Sequence, residues 1–237
     1  MKKLTLLVGI LLVPAITRAQ TVNEAALYLA TMRTPAGALA PMLTNTLINR
    51  AQNGASLALR YGNLASGDFN PGANTFAVTG VLPAGLGSSV TITGGVIASD
   101  CTDCKPQLML GVGGDMRLMG RAMGTTSVSP MFTVSLDGEI GYSNADPGSF
   151  FSGYVGVPLA LVQRGTGMQF APFLTPGFAI GQVSSGGVST NGSGLMVGGG
   201  LGVYNTESSV IINVGIQHSF VNGARNTIGI NLLIGGK

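Results

Sequence analysis

The sequence predicts an all-β chain: an antiparallel, up-and-down transmembrane β-barrel of about ten strands, eight being the smaller alternative, preceded by a short helical segment. Three observations carry this. Only 9% of the 237 residues are charged, 38 are glycine, and mean hydropathy is positive at +0.43, whereas a soluble surface carries about 25–35% charged residues. No run beyond residue 20 reaches the roughly 18 consecutive apolar residues of a spanning helix. Finally, the stretch from Gly194 to Gly235 writes a period of two three times over. Leu195, Val197, Leu201 and Val203 alternate with Met196, Gly198, Gly200 and Gly202. Val210, Ile212, Val214 and Ile216 alternate with Asn213, Gly215 and Gln217, and Ile228, Ile230, Leu232 and Ile234 with Thr227, Gly229 and Asn231. Successive side chains of a strand point to opposite faces, so each repeat has one greasy face and one small or polar face.

At the N-terminus, Lys2 and Lys3 precede an apolar run from Leu4 to Ile16 and a small-residue site at Thr17-Arg18-Ala19. This is the form of a secretory signal peptide over residues 1–19, cleaved after Ala19. Twelve basic residues less Lys2, Lys3 and Arg18 leave nine, against nine acidic ones. The basic pI therefore belongs to the leader, and nucleic acid is not expected as a partner.

Residues 20–54 read as a helical pre-barrel segment. Asn23 caps a helix from Glu24 to Arg33, ended by Thr34-Pro35. A second helix from near Ala38 places Leu39, Met42, Leu43, Leu47 and Ile48 on one side and closes at Asn53-Gly54. Such a stripe suits a plug, an interfacial helix or a segment that precedes the barrel, and the last is the reading adopted.

The barrel itself is assigned to residues 55–237. Ten strands are expected at 55–62, 74–82, 88–98, 107–121, 130–142, 150–162, 168–182, 193–204, 208–218 and 226–235. Most are near the 9 to 11 residues of a tilted membrane strand. Apolar faces lining the interior would leave an exterior of Gly, Ser, Thr and Ala that is poorly soluble. Facing lipid, they leave the polar faces to line a lumen. The odd-numbered connections read as longer than the even ones, apart from Ala122 to Ser129, which puts both termini on the periplasmic side. With that orientation Tyr61, Phe76, Tyr142, Phe151, Phe178 and Phe220 form an aromatic outer rim.

The leader, the dyad-patterned strands and the alternating connections resemble the small bacterial outer-membrane β-barrels, over residues 55–237 and by architecture, with no family-specific motif. The resemblance implies outer-membrane lipid and the barrel-assembly machinery as partners. Members of that class end their last strand in an aromatic residue. This chain departs from the pattern with Ile234-Gly235-Gly236-Lys237.

Little in the chain asks for chemistry. Cys101-Thr102-Asp103-Cys104 reads as a loop disulfide in an oxidising compartment, the alternatives being a redox pair or a metal site. A redox pair would want a helix N-terminus or βαβ setting, and neither is visible. His218, the sole histidine, shares parity with Val214 and Ile216 and faces outward. Omptin-type outer-membrane proteases also have ten strands, with catalytic Asp and His beneath long rim loops, but the loops here read as short. No catalytic residue, metal ligand or cofactor is assigned. Gly198-Gly199-Gly200 lies inside a strand and lacks the helix that a phosphate-binding loop opens. Asp115, Arg117 and Arg121, with Asp137 and Glu139 on the next strand, have inward parity. They read as a lumen charge cluster in which Arg117 bridges the two acids, and a selectivity constriction is the alternative. The expected function is a passive, structural or surface-interaction barrel with a side-chain-filled lumen. A narrow channel or small-solute transporter is second, and a rim enzyme third.

Overall fold

A computed structural model describes residues 21–48, 54–66, 71–85, 87–145, 148–221 and 226–235. The leader with its cleavage site, and Asn53, lie outside the described residues. The strands are β1 (Ser56–Leu64), β2 (Ala73–Gly85), β3 (Ser88–Ser99), β4 (Gln107–Ala122), β5 (Met131–Ala145), β6 (Gly148–Gly156), β7 (Leu159–Val162), β8 (Met168–Ser185), β9 (Val188–Asn205), β10 (Val210–Ser219) and β11 (Thr227–Gly235). Each pairs antiparallel with its neighbour, and β1 pairs with β11 to close the sheet. β6 and β7 both pair with β5 and β8, so they are one staved position interrupted at Val157-Pro158. Pro158 has no N–H to give the ladder. The result is a closed barrel of ten staves.

The alternation seen in sequence sets the two faces. Ile212, Val214, Ile216, Ile228, Ile230 and Ile234 are exposed on the outside, as are Leu57, Leu59, Phe76 and Ile140. Their neighbours Asn213, Gln217, Thr227 and Asn231 are buried within. In water so much exposed apolar surface would be a liability. Against hydrocarbon it is the favourable arrangement, and closure leaves no unpaired edge.

Connection lengths do not keep the expected rhythm. β5 ends at Ala145 and β6 begins at Gly148, while β8 ends at Ser185 and β9 begins at Val188. Both are tight hairpins where long loops were expected, because the strands run further. Gly186 and Gly187 have φ of +57° and +82°, the conformation a two-residue turn needs to match the twist of its strands. The barrel's two ends therefore differ in how far strands project. The proximal end is where β1 begins and β11 ends; the distal end carries the long β8–β9 hairpin.

The N-terminal segment lies inside. α1 (Thr21–Met32) is rich in Ala, Leu and Met, good helix formers, and it packs on β6, β8 and β9. It ends where expected, since Thr34 before Pro35 is extended at φ −125°, ψ 163°. One further turn, α2 (Pro35–Ala38), follows. The second helix expected from Ala38 does not form: residues 39–44 are irregular, and a turn occupies 45–48. Pro41 removes a donor and disfavours helix at Ala40. Leu39, Leu43, Leu47 and Ile48 are nevertheless buried, because a chain threaded through a barrel is enclosed on every side and needs no helical period. Of the three roles open to this stripe, the geometry is that of a plug.

Candidate functional site

The lumen is enclosed by the ten staves, and residues 21–48 fill much of it. Leu27, Tyr28, Met32, Leu39 and Leu43 are at most 1% exposed. The wall facing them is small: a β-carbon placed at Gly194 would lie 2.8 Å from Leu27 Cδ2, one at Gly141 2.8 Å from Pro35 Cδ, and one at Gly198 2.8 Å from Pro41 Cγ. The lumenal glycines make room for the plug.

Polar contacts hold it from end to end. Near the distal end Arg33 Nη1 donates to Gln107 Oε1 at 2.8 Å, and its guanidinium lies 5.1 Å from the Phe150 ring centroid, a cation–π arrangement. Thr34 Oγ1 caps the end of α1 by donating to Ala30 O at 3.0 Å and lies 2.6 Å from Ser152 Oγ of the wall. Towards the proximal end Thr44 Oγ1 donates to Asp115 Oδ1 at 2.9 Å, and Ser89 Oγ reaches the same oxygen at 2.6 Å. Asn45 Nδ2 donates to Gly235 O at 3.2 Å.

Between plug and wall remains a cavity of about 60 Å³, room for a few waters. Arg60, Asp115, Asp137, Glu139, Tyr154 and Thr91 are among its lining. Asp115 and Asp137 are direct partners across the β4–β5 ladder. Arg60, on β1, shares this cavity with Asp137 and Glu139 and donates to Ala40 O at 2.8 Å. Tyr154 lies along the inner wall over Gly156 and Gly177.

Arg117 does not take the bridging place expected of it. Its partner across the ladder is Ser135, as parity implied, but its guanidinium turns to the proximal end, over Gly87. Arg121 is corrected more fully. The register slips between Arg117 and Met119, and this bulge shifts every later side chain to the other face. Arg121 is therefore exposed and opposite Phe132, on the outer face. Asp115, Asp137 and Glu139 line the cavity without either arginine. Arg60 lines the same cavity from β1, a placement that hairpin pairing cannot reveal. Arg60→Ala should lower stability by on the order of a few kcal/mol, as the loss of a partner to buried charge does. Arg117→Ala, at a solvent-facing end, should cost about 1 kcal/mol or less. The temperature at which the folded form converts to the unfolded one on detergent gels measures both.

The other expected residues fall as follows. Tyr61 and Phe76 are ladder partners with ring centroids 5.0 Å apart, and Tyr142 pairs with Phe151. All four lie towards the distal end, and Phe220 follows the distal end of β10. Phe178 sits further down, near the middle of β8, opposite Val155 and Leu195. Cys101 and Cys104 form a disulfide with Cα atoms 5.4 Å apart, in the connection between β3 and β4. His218 is on the outer side, with Nδ1 3.0 Å from Asn226 Oδ1 and its ring edge-on to Phe220.

Fold and site together define a class: a small transmembrane β-barrel of the outer-membrane type, with its own N-terminal segment inside. No family model and no curated protein matches the chain. Among solved structures, Ail, the attachment invasion locus protein of Yersinia pestis, is similar with a TM-score of 0.33 and 14% identity, over 76% of this chain and 93% of that one. Ail in complex with the heparin analogue sucrose octasulfate gives a TM-score of 0.32 and 13% identity, over 76% and 94%.

Proposed function

We propose that the chain is a bacterial outer-membrane β-barrel with a structural or surface-interaction role, held shut by its own N-terminal segment. The observation that supports this most is the seating of residues 21–48, bonded to the wall from Arg33 to Asn45. A transport pore needs a continuous water path, and the glycines that would give it space are covered. The exposed apolar belt supports a lipid surround, the aromatic residues at the distal end support an interface there, and secretion across the inner membrane follows from the reading of residues 1–19. No catalytic role is assigned: His218 is on the outer face, away from the three lumenal acids.

Fractionation of expressing cells, followed by heated and unheated detergent gels and planar-bilayer recordings, tests the reading. The expected result is an outer-membrane protein whose mobility changes on boiling and which shows little or no steady conductance. Recovery as a soluble periplasmic monomer would refute the barrel in lipid. Large stable conductance would make the narrow channel the leading function.

A further inference from the structure

The part of the wall that holds residues 36–43 bonds to main chain alone. Gln217 Nε2 donates to Ala36 O, Thr227 Oγ1 to Gly37 O at 2.7 Å, and Arg60 Nη2 to Ala40 O at 2.8 Å. Asn231 Nδ2 donates to Pro41 O at 3.2 Å. Asn213 treats Leu43 as a neighbouring strand would, accepting from its N–H and donating to its carbonyl, both at 3.3 Å. None of these bonds reads a side chain.

The registers arrange these groups into a trough. Gly62, Gly229, Gly215 and Gly200 are successive partners across β1, β11, β10 and β9, a glycine band crossing four strands. Arg60, Asn231 and Asn213 are partners in a second transverse row on one side of it. Thr227 and Gln217 are partners in another row on the other side. Ala38 and Ala40 lie on the glycine floor: a β-carbon at Gly229 would come 2.8 Å from that of Ala40, and one at Gly62 would meet Ala38 O. The floor admits small side chains, and the two rows supply hydrogen bonds to main chain, which any peptide following the same path can accept. Asn213, Thr227 and Asn231 are fully buried, so without an occupant they would have to be hydrated inside the lumen.

We propose that this trough is a peptide-binding site for uncharged segments that place small residues on the glycine floor, one short turn running into irregular chain. Residues 34–43, Thr-Pro-Ala-Gly-Ala-Leu-Ala-Pro-Met-Leu, are its tethered occupant, and a free peptide of the same class competes with it. Main-chain recognition cannot distinguish a tethered from a free segment; the tether contributes only effective concentration. The proposal rests on the plug reading.

The test uses the full-length protein in detergent or lipid with Ala40→Cys as a thiol reporter, and Met42→Cys as a second in case the first folds poorly. With the native cysteines in their disulfide, labelling reports residue 40 or 42 alone. Slow labelling without peptide tests the plug itself. Excess of a blocked synthetic peptide of residues 34–43 should then speed labelling by about tenfold or more, as the occupied population shifts. The same peptide with leucine at the positions of Ala38 and Ala40 should not, because the glycine floor excludes it. Slow labelling that the native peptide leaves unchanged, or that both peptides speed equally, overturns the site while leaving the plug intact. Fast labelling before any peptide is added overturns both.

Discussion

Deleting residues 21–48 should convert a closed barrel into a conducting one, the largest change any single alteration of this chain is expected to make. The segment's exit leaves a lumen lined by Gly, Ser, Thr and Asn on ten staves, wider than the eight-stranded barrel that side chains alone just fill. Arg60 against Asp115, Asp137 and Glu139 leaves the wall with more negative than positive charge, so the pore should favour cations. Stability should fall as well. Full burial of a Leu or Met side chain is worth about 1.5–3 kcal/mol, and Leu27, Met32, Leu39 and Leu43 are all lost. Hydration of the freed wall amides offsets part of this. Planar-bilayer recording beside the unaltered protein reads the conductance, and the temperature of the gel mobility shift reads the stability. A deletion variant that folds and stays electrically silent would mean that the wall, and not the segment, closes the barrel.

The second large effect is expected from filling the space that two wall glycines leave. Gly198 faces Pro41, and Gly141 faces Pro35 and Thr34. Leucine at either forces its side chain into the proline ring, and overpacking of this kind costs about 1–3 kcal/mol. The two sites are on different strands against different prolines, so their effects should roughly add. The double variant Gly198→Leu with Gly141→Leu should unseat the segment, seen as protease cleavage within residues 34–48 and as conductance. Adding Pro41→Ala and Pro35→Ala should restore much of the seating, because the clash is with those rings. Gly80→Leu, whose β-carbon would meet nothing nearer than Ile92 O at 3.9 Å, is the control and should change neither readout. Damage that the proline changes fail to relieve would place the fault in the strands.

The barrel was legible because its signal is local. Alternation along β9, β10 and β11 decides which side chains share a face, and the poor solubility of an exterior of Gly, Ser, Thr and Ala decides which side meets lipid. What escaped reading was non-local. Leu39, Met42, Leu43, Leu47 and Ile48 fit a helical stripe by spacing, yet an enclosed chain buries residues on all sides, and Pro41 was the signal against a helix there. Gly186-Gly187 is a strong hairpin signal, and it is what lets β8 and β9 run to a two-residue turn. Arg121 was misplaced by one bulge, which strand parity carries forward without warning. Arg60 shares a cavity with the acids of β5, a neighbourhood set by closure of the barrel and visible in no hairpin.

Residues 34–48 are expected to occupy the lumen of the membrane-embedded protein. A β-carbon at Gly215 would lie 3.5 Å from that of Ala40, within the roughly 3.5–4.5 Å that a disulfide spans. Full-length protein carrying Ala40→Cys and Gly215→Cys, oxidised mildly in native membranes and then digested, should yield peptides containing residues 40 and 215 joined until a reductant is added. Free thiols at both positions, with residue 40 labelling as fast as an exposed cysteine in intact membranes, would contradict the plugged barrel.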